Sequence, residues 1–322
     1  MILLGNILNI VIFVTLVGSV FSILTFLSKR VLRMALPLWF GICGIIFFLV
    51  PFIVPILYLF PPEEPQWLNG YKIACNVWLA GLLVFLVYFS IRSLFAYCAI
   101  KNYRACSDER INQAWHTCVK ASGLKKAPVV FSGTLNDSAC VASLFRPFLI
   151  LNENIIKQLS DKELNIVLYH EITHIKRRHH IYQALTNIAF TIHWFNPFVW
   201  FIKSDFAMQC EIDCDKNALS ALKGSVTEIE YATAMLHLME LSANAKNKNA
   251  NGIGALGFIL AKQRMYYFLN IPSRCRKIIG TTVLVLSIAI TLLFSTFTSR
   301  SIFYPYPAYS DGTEFSGTFI AE

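Results

Sequence analysis

Long apolar stretches mark both ends of this chain. They cover about residues 2–27, 35–60, 73–100 and 278–297. A bilayer span needs roughly 20 mostly apolar residues with few or no charges, and each stretch meets that requirement. Pro51 and Pro55 lie inside the second stretch, and transmembrane helices tolerate such prolines. The pattern therefore predicts four transmembrane helices.

The more polar region between the third and fourth stretches, residues 101–277, combines helical and strand-like patterns. Helical periodicity covers about residues 101–126, 161–178, 181–193, 197–222 and 226–242, and short strand-like runs cover 129–131 and 148–151. Ser160 and Glu163 form a capping box before one of these helices. Asn196 and Pro197 supply an N-cap and a first-turn proline for another. We interpret residues 133–147 as a loop or hairpin, and the whole as a mostly α membrane protein with an α+β domain.

The distribution of charge predicts the orientation in the membrane. Lys29, Arg30 and Arg33 follow the first stretch, and Lys101 and Arg104 follow the third. Basic residues beside span ends favour the cytoplasmic side. We therefore expect a multi-pass protein of the cell membrane, with residues 101–277 in the cytoplasm. The N-terminus and the short tail, residues 298–322, are expected outside.

The composition supports a membrane protein and gives no indication of nucleic-acid binding. The hydrophobic fraction is 56% and the mean hydropathy is +0.54, whereas soluble domains are about 45–50% apolar. The net charge of +9 is explained by basic residues at span ends, and no nucleic-acid motif accompanies it. The nine cysteines form no CxxC pair, so we expect free thiols.

An HExxH motif lies in the helix predicted over residues 161–178. His170 and His174 are four positions apart, so both imidazoles can reach one metal ion, and Glu171 is placed to act as general base on water. An isolated HExxH can also be a solvated helix face. Apolar residues on both sides, at 166–168 and at Ile172 and Ile175, favour a buried metal site instead.

Catalytic zinc usually takes three protein ligands, and HExxH supplies two of them. The candidates for the third are His179, His180, His193, Asp205, Cys210, Glu211, Asp213, Cys214 and Asp215. Glu211 and Asp215 share one helical face and offer a ligand and a supporting carboxylate. Cys210 and Cys214 form a rival pair that suits a structural site better. His179 and His180 would need a turn directly after the motif, and the sequence there gives no turn signal.

Three segments in this order, HEITHIKRRH, HWFNPFVW and CEIDCDKNAL, resemble the BlaR1/MecR1 family of membrane metallopeptidases, peptidase family M56. The resemblance covers about residues 1–297. It implies four membrane helices and a gluzincin-type domain on the cytoplasmic side that holds one Zn²⁺. It also implies that His170, His174 and Glu211 are the zinc ligands, that Glu171 is the general base and that Asp215 supports a ligand.

The resemblance has further implications for substrates and regulation. It implies that residues 148–151 form the edge strand along which a peptide substrate lies. In the antibiotic-sensing members a penicillin-binding domain follows the fourth span, and its occupation leads to self-cleavage and to loss of a DNA-binding repressor. Only about 25 residues follow that span here, without SxxK or KTG, so we expect a truncated or sensorless relative. Gly257 and Phe258 resemble the self-cleavage junction.

Two alternative functions stay open. The chain is either a housekeeping membrane protease with the same zinc site, or a non-catalytic membrane receptor with a vestigial one. Glu171 argues against the receptor, because a dead site has no need of the general base. The oligomeric state is not fixed by the sequence, and a homodimer is compatible with it.

Overall fold

The computed structural model is mostly helical. It describes residues 2–32, 34–49, 68–101, 103–124, 126–133, 138–144, 146–247, 264–268 and 273–303. Its helices are α1 (Ile2–Leu32), α2 (Leu38–Leu49), α3 (Leu68–Lys101), α4 (Glu109–Ser122), α5 (Glu153–Ile156), α6 (Asp161–Lys176), α7 (His179–Ile192), α8 (Pro197–Ala221), α9 (Glu228–Asn247), α10 (264–268) and α11 (Arg274–Phe303). Its strands are β1 (Arg104–Ala105), β2 (Val130–Ser132), β3 (Ala139–Ala142) and β4 (Phe148–Leu151).

Three helices of the described part are long and apolar enough to cross a membrane. The qualifying segments are Ile10–Leu32, Lys72–Phe95 and Arg274–Thr296. They correspond to the first, third and fourth spans that the sequence predicts. The described part of the second is the shorter apolar helix α2, and residues 50–60 of that prediction lie outside the described residues. Gly257 and Phe258, the predicted self-cleavage positions, and the tail from residue 304 also lie outside the described residues.

The four strands form one small sheet in the order β1-β2-β4-β3. β4 pairs in parallel with β2 and antiparallel with β3, and β1 is antiparallel to β2. Residues 148–151 are therefore an interior strand, and their predicted role as the substrate-binding edge is wrong. β3, which lies in the segment interpreted as a loop or hairpin, is an edge of the sheet and contacts α6.

The sheet packs against α4, α6 and α9 around one hydrophobic core. Its largest buried members include Trp115 on α4, Leu149 on β4 and Tyr231 on α9. The N-terminus of α6 is fixed by the predicted capping box, in which the Glu163 carboxylate accepts from the Ser160 backbone N–H at 2.8 Å. This core holds α6 in place, and the HExxH motif lies on its last two turns.

The helices α7 and α8 connect this domain to the apolar helices. α8 contacts α6 near Asp215 and contacts α1 and α2 near Asp205 and Ile202, while α7 contacts α2 and α3. The prediction that residues 101–277 form one polar unit does not anticipate these contacts. Their physical reason is compositional, because Asp, Glu, Lys and Arg are absent from residues 179–202.

Close packing of α2 on α8 requires glycine at position 41. A Cβ atom added to Gly41 would lie 2.2 Å from Oε1 of Gln209 and 2.7 Å from the ring of Phe206. We expect Gly41→Leu to lower the free energy of unfolding by about 1–3 kcal/mol, the usual cost of overpacking. The measurement is thermal unfolding in detergent. Ile46→Leu, on the exposed face of the same helix, is the matched control, and an equal loss in both variants would contradict this packing.

Candidate metal centre

The two motif histidines converge on one point at the end of α6. Their Nε2 atoms are 3.1 Å apart. Glu211 on α8 approaches both, with one carboxylate oxygen 3.5 Å from His170 Nε2 and the other 3.5 Å from His174 Nε2. Helical spacing of four residues aligns the imidazoles, and the packing of α6 on α8 brings the carboxylate to them. The structure therefore brings together the three residues that the sequence predicts as ligands.

Asp215 lies behind His170, as the sequence predicts for a supporting carboxylate. It is fully buried, and its Oδ1 atom is 3.1 Å from His170 Nδ1. The hydroxyl of Tyr231 donates to the same oxygen at 3.0 Å and lies 3.2 Å from His170 Nδ1. A carboxylate on Nδ1 fixes the tautomer that leaves Nε2 free to bind a metal.

Arg264 on α10 neutralises the two carboxylates. Its Nε and Nη2 atoms donate to Asp215 at 2.6 and 2.5 Å, and its Nη1 atom is 2.8 Å from Glu211. Its side chain is buried, and Nη2 lies 3.3 Å from His170 Nε2. Sequence reasoning missed this residue, because it is far from the motif in the chain and carries no local signal.

His179 lies behind His174, where the sequence analysis did not expect it. Arg178 adopts a left-handed backbone conformation, φ 57°, which ends α6 and starts α7 at once. His179 Nδ1 is then 3.1 Å from His174 Nδ1, and its Nε2 atom is 3.5 Å from Asp213. Arg177 holds Asp213 through two hydrogen bonds of 2.7 and 2.8 Å. Both motif histidines are thus oriented through Nδ1.

Cys214 is the rival donor in this cluster. Together with His170 and His174 it forms a group of side chains close enough to bind a metal ion. Its Sγ atom lies 3.3 Å from Nδ1 of His179, which itself contacts Nδ1 of His174. Burial raises the pKa of its thiol, which disfavours the thiolate that metals bind. Glu211 lies on the side where the two Nε2 atoms meet, with a carboxylate oxygen 3.5 Å from each. Cys210 is fully buried elsewhere, among Ile45 and Phe206.

The charged groups of the cluster shift one another's pKa values. Burial and Arg264 lower the pKa of His170, but the carboxylates of Asp215 and Glu211 outweigh them and raise it to about 9. Burial raises the pKa of Asp215, but Arg264 and the hydrogen bonds to it outweigh that effect and lower the pKa to about 2. Burial also raises the pKa of Glu211, yet Arg264, His174 and His170 hold it well below its usual range. Burial lowers the pKa of His174 to about 3, so this imidazole is neutral. Two imidazoles and a carboxylate are a donor set that fits zinc and leaves a position open.

Glu171 adjoins His170 on α6 and is half-buried. Besides burial, its charge helps to raise the pKa of the Cys214 thiol, and the HExxH spacing predicts that its carboxylate faces the same site. These features together form a candidate metal centre that resembles those of metallopeptidases.

The comparisons with known proteins agree with this class. A family profile described as BlaR1 peptidase M56 matches residues 60–267, and the chain belongs to this family of metallopeptidases. The regulatory protein BlaR1 of Bacillus licheniformis is 22% identical over 226 residues, which cover 70% of this chain and 37% of that protein. The methicillin resistance mecR1 protein of Staphylococcus aureus strain Mu50 is 26% identical over 224 residues, 66% of this chain and 37% of that protein. The matched region thus spans little more than a third of these relatives.

The geometry predicts that Arg264 stabilises the metal-free protein. Replacing it by methionine leaves Asp215 as a buried, unneutralised charge, and breaking such a pair costs about 3–5 kcal/mol. We expect Arg264→Met to lower the free energy of unfolding by that amount after chelation. Thermal unfolding with and without a chelator measures it. Arg276→Met removes an exposed arginine as the control, and the same loss from both variants would refute the role of Arg264.

A second prediction separates Glu211 from Cys214 as the third ligand. Glu211→Gln should leave the purified protein with far less than one zinc per chain, because an amide is a much weaker ligand than a carboxylate. Cys214→Ser should keep the zinc of the native protein. Metal analysis by mass spectrometry after dialysis measures both. Zinc lost only from Cys214→Ser would assign the third position to the thiol.

Proposed function

We propose that this chain is an integral membrane zinc endopeptidase whose active site faces the cytoplasm. The proposal rests on the position of the Glu211 carboxylate on α8, which approaches the Nε2 atoms of both motif histidines of α6. Glu171 adjoins His170 on α6. His170, His174 and Glu211 would hold the zinc ion. The basic residues Lys29 and Arg30 at the end of α1 support the cytoplasmic orientation.

The residues of the chain have separate tasks in this reaction. When bound, zinc lowers the pKa of water toward about 7 and polarises the substrate carbonyl. Glu171 accepts the proton of the attacking water and passes it to the leaving amine. Asp215 and Tyr231 orient His170, and His179 orients His174. The edge strand β3 is where an extended peptide would add to the sheet, beside α6.

We further propose that the peptidase acts in regulated proteolysis of the antibiotic-sensor type. The names of the relatives, a regulatory protein and a methicillin resistance protein, support this role. The substrates would be the chain itself and a cytoplasmic DNA-binding repressor. Arg264 is held at the ligands six positions after Phe258. We propose the bond between Gly257 and Phe258 as the site of self-cleavage.

A housekeeping membrane protease would use the same site on other membrane proteins. Incubation of the purified chain with unrelated peptides and with a candidate repressor distinguishes the two. Cleavage of all of them alike favours the housekeeping function. A receptor with a vestigial site would cleave none.

The central test replaces Glu171 by glutamine in the full chain, purified in detergent or reconstituted in vesicles. The variant should keep about one zinc ion, because Glu171 is not a ligand. Its cleavage rate should fall by about 10²–10⁴-fold, the usual contribution of general acid–base catalysis. Fragment mass spectrometry and metal analysis measure both. Undiminished cleavage would refute the proposed base, and absence of zinc from the native protein would refute the metal site.

A further inference from the structure

The hairpin formed by α7 and the first half of α8 is unusually apolar for a part of an enzyme domain. No Asp, Glu, Lys or Arg occurs from His179 to Ile202. The hairpin packs against α1, α2 and α3. Its contacts include Ile202 near Gly44 of α2, and the ring of Trp194 where a Cβ of Gly81 would lie. It therefore lies beside the helices that qualify as membrane spans.

The tip of the hairpin lies deep along those spans. At the inner end of α1, Lys29 pairs with Asp205. His193 at the tip contacts Thr15, which precedes Lys29 by fourteen positions in α1. Fourteen helical residues rise about 21 Å. On α3 the tip contacts Trp78, which is likewise fourteen positions from Arg92. The contacts with α1 and with α3 therefore both place the tip about two thirds of the way from the inner boundary across a hydrocarbon core of roughly 30 Å.

The polar groups at the tip find partners inside the protein. The ring of His193 bonds to Thr15 Oγ1 at 3.0 Å and to the carbonyl of Phe48 at 3.1 Å. Asn196 donates to Ser19 Oγ at 3.1 Å and accepts from the Phe198 backbone N–H at 2.9 Å.

Two tryptophans satisfy carbonyls of the same turn. Trp78 Nε1 donates to the carbonyl of Ile192 at 3.0 Å, and Trp200 Nε1 donates to that of Trp194 at 3.2 Å. Non-helical backbone at membrane depth is tolerated only where the protein itself satisfies it in this way. The turn at residues 193–196 meets that condition.

The outer face of the hairpin is apolar, and none of the residues that the structure describes covers it. Leu185, Ile188, Phe195 and Trp200 are exposed, and Ile188 and Trp200 keep 50% and 52% of their surface. A groove of about 330 Å³ continues this face onto α1, and its lining is Ser22, Ile23, Phe26, Pro197, Phe198 and Phe201. The exposed residues of α1 in this groove belong to a candidate span, so the two surfaces share one environment.

We propose that residues 184–202 form a re-entrant hairpin inserted into the lipid bilayer, with acyl chains covering its outer face. The uncharged sequence, the depth of the tip, the satisfied turn and the apolar exterior each support this occupant. Lys203 marks the inner boundary, because its Nζ lies 5.6 Å from the ring of Phe89, one turn before Arg92. The proposal is independent of the zinc chemistry.

The test places a photoreactive benzoylphenylalanine at position 188 of the full chain in phosphatidylcholine vesicles. The matched control carries it at position 229, an isoleucine of α9 that is 75% exposed. Illumination should give phospholipid adducts at position 188, found by mass spectrometry, and few or none at position 229. Equal lipid adducts at both positions would overturn the proposal. Adducts at position 188 to a second copy of the chain would overturn it in favour of a protein interface.

Native tryptophans provide a test without an artificial residue. In vesicles of dibrominated phosphatidylcholine, Trp200 should contribute strongly to the quenching of fluorescence, because bromine on acyl chains quenches on contact. Trp200→Phe should therefore remove part of the quenchable emission. Trp115→Phe, at a core residue that is 2% exposed, should leave that part intact. An unchanged quenchable fraction in Trp200→Phe would overturn the insertion.

Discussion

The buried carboxylate of Asp215 is the constraint on which the site depends. A fully buried charge is tolerated only with a partner and hydrogen bonds, and Asp215 takes these from three other elements: His170 on α6, Tyr231 on α9 and Arg264 on α10. The same guanidinium reaches Glu211. Satisfying one charge therefore assembles α6, α8, α9 and α10 around the ligand atoms. The guanidinium of Arg264 neutralises part of the negative charge, and the proposed metal site lies where the imidazoles of His170 and His174 meet the Glu211 carboxylate.

Local signals predicted the helices that carry this site. The capping box of Ser160 and Glu163 marks the start of α6, and Asn196 with Pro197 marks the start of α8, both as the structure has them. Helical periodicity also placed the face shared by Glu211 and Asp215. These features were accessible because each depends on residues within one or two turns of chain, where spacing alone fixes geometry.

Features that depend on distant chain segments were not accessible in this way. Arg264 is 49 positions from Asp215, and no periodicity links them. Arg178 adopts a left-handed backbone conformation although it is not a glycine. No turn was therefore predicted there, and His179 was not expected to fold back toward the motif. β4 is an interior strand because β3 pairs with it, which a run of four residues cannot show. No membrane segment was predicted for the hairpin around His193, because its turn carries polar residues and each of its halves is too short to cross a bilayer.

The hairpin and the metal centre share their helices. α7 begins at His179, which orients His174, and α8 is one continuous helix from Pro197 at the depth of the tip to Glu211 and beyond. The C-terminal part of α8 shares its core with α6, because Ala218 and Leu222 are buried in the same cluster as Leu168 and Ile172. α8 therefore connects the helices that qualify as membrane spans to Glu211, one of the proposed zinc ligands, through one continuous backbone.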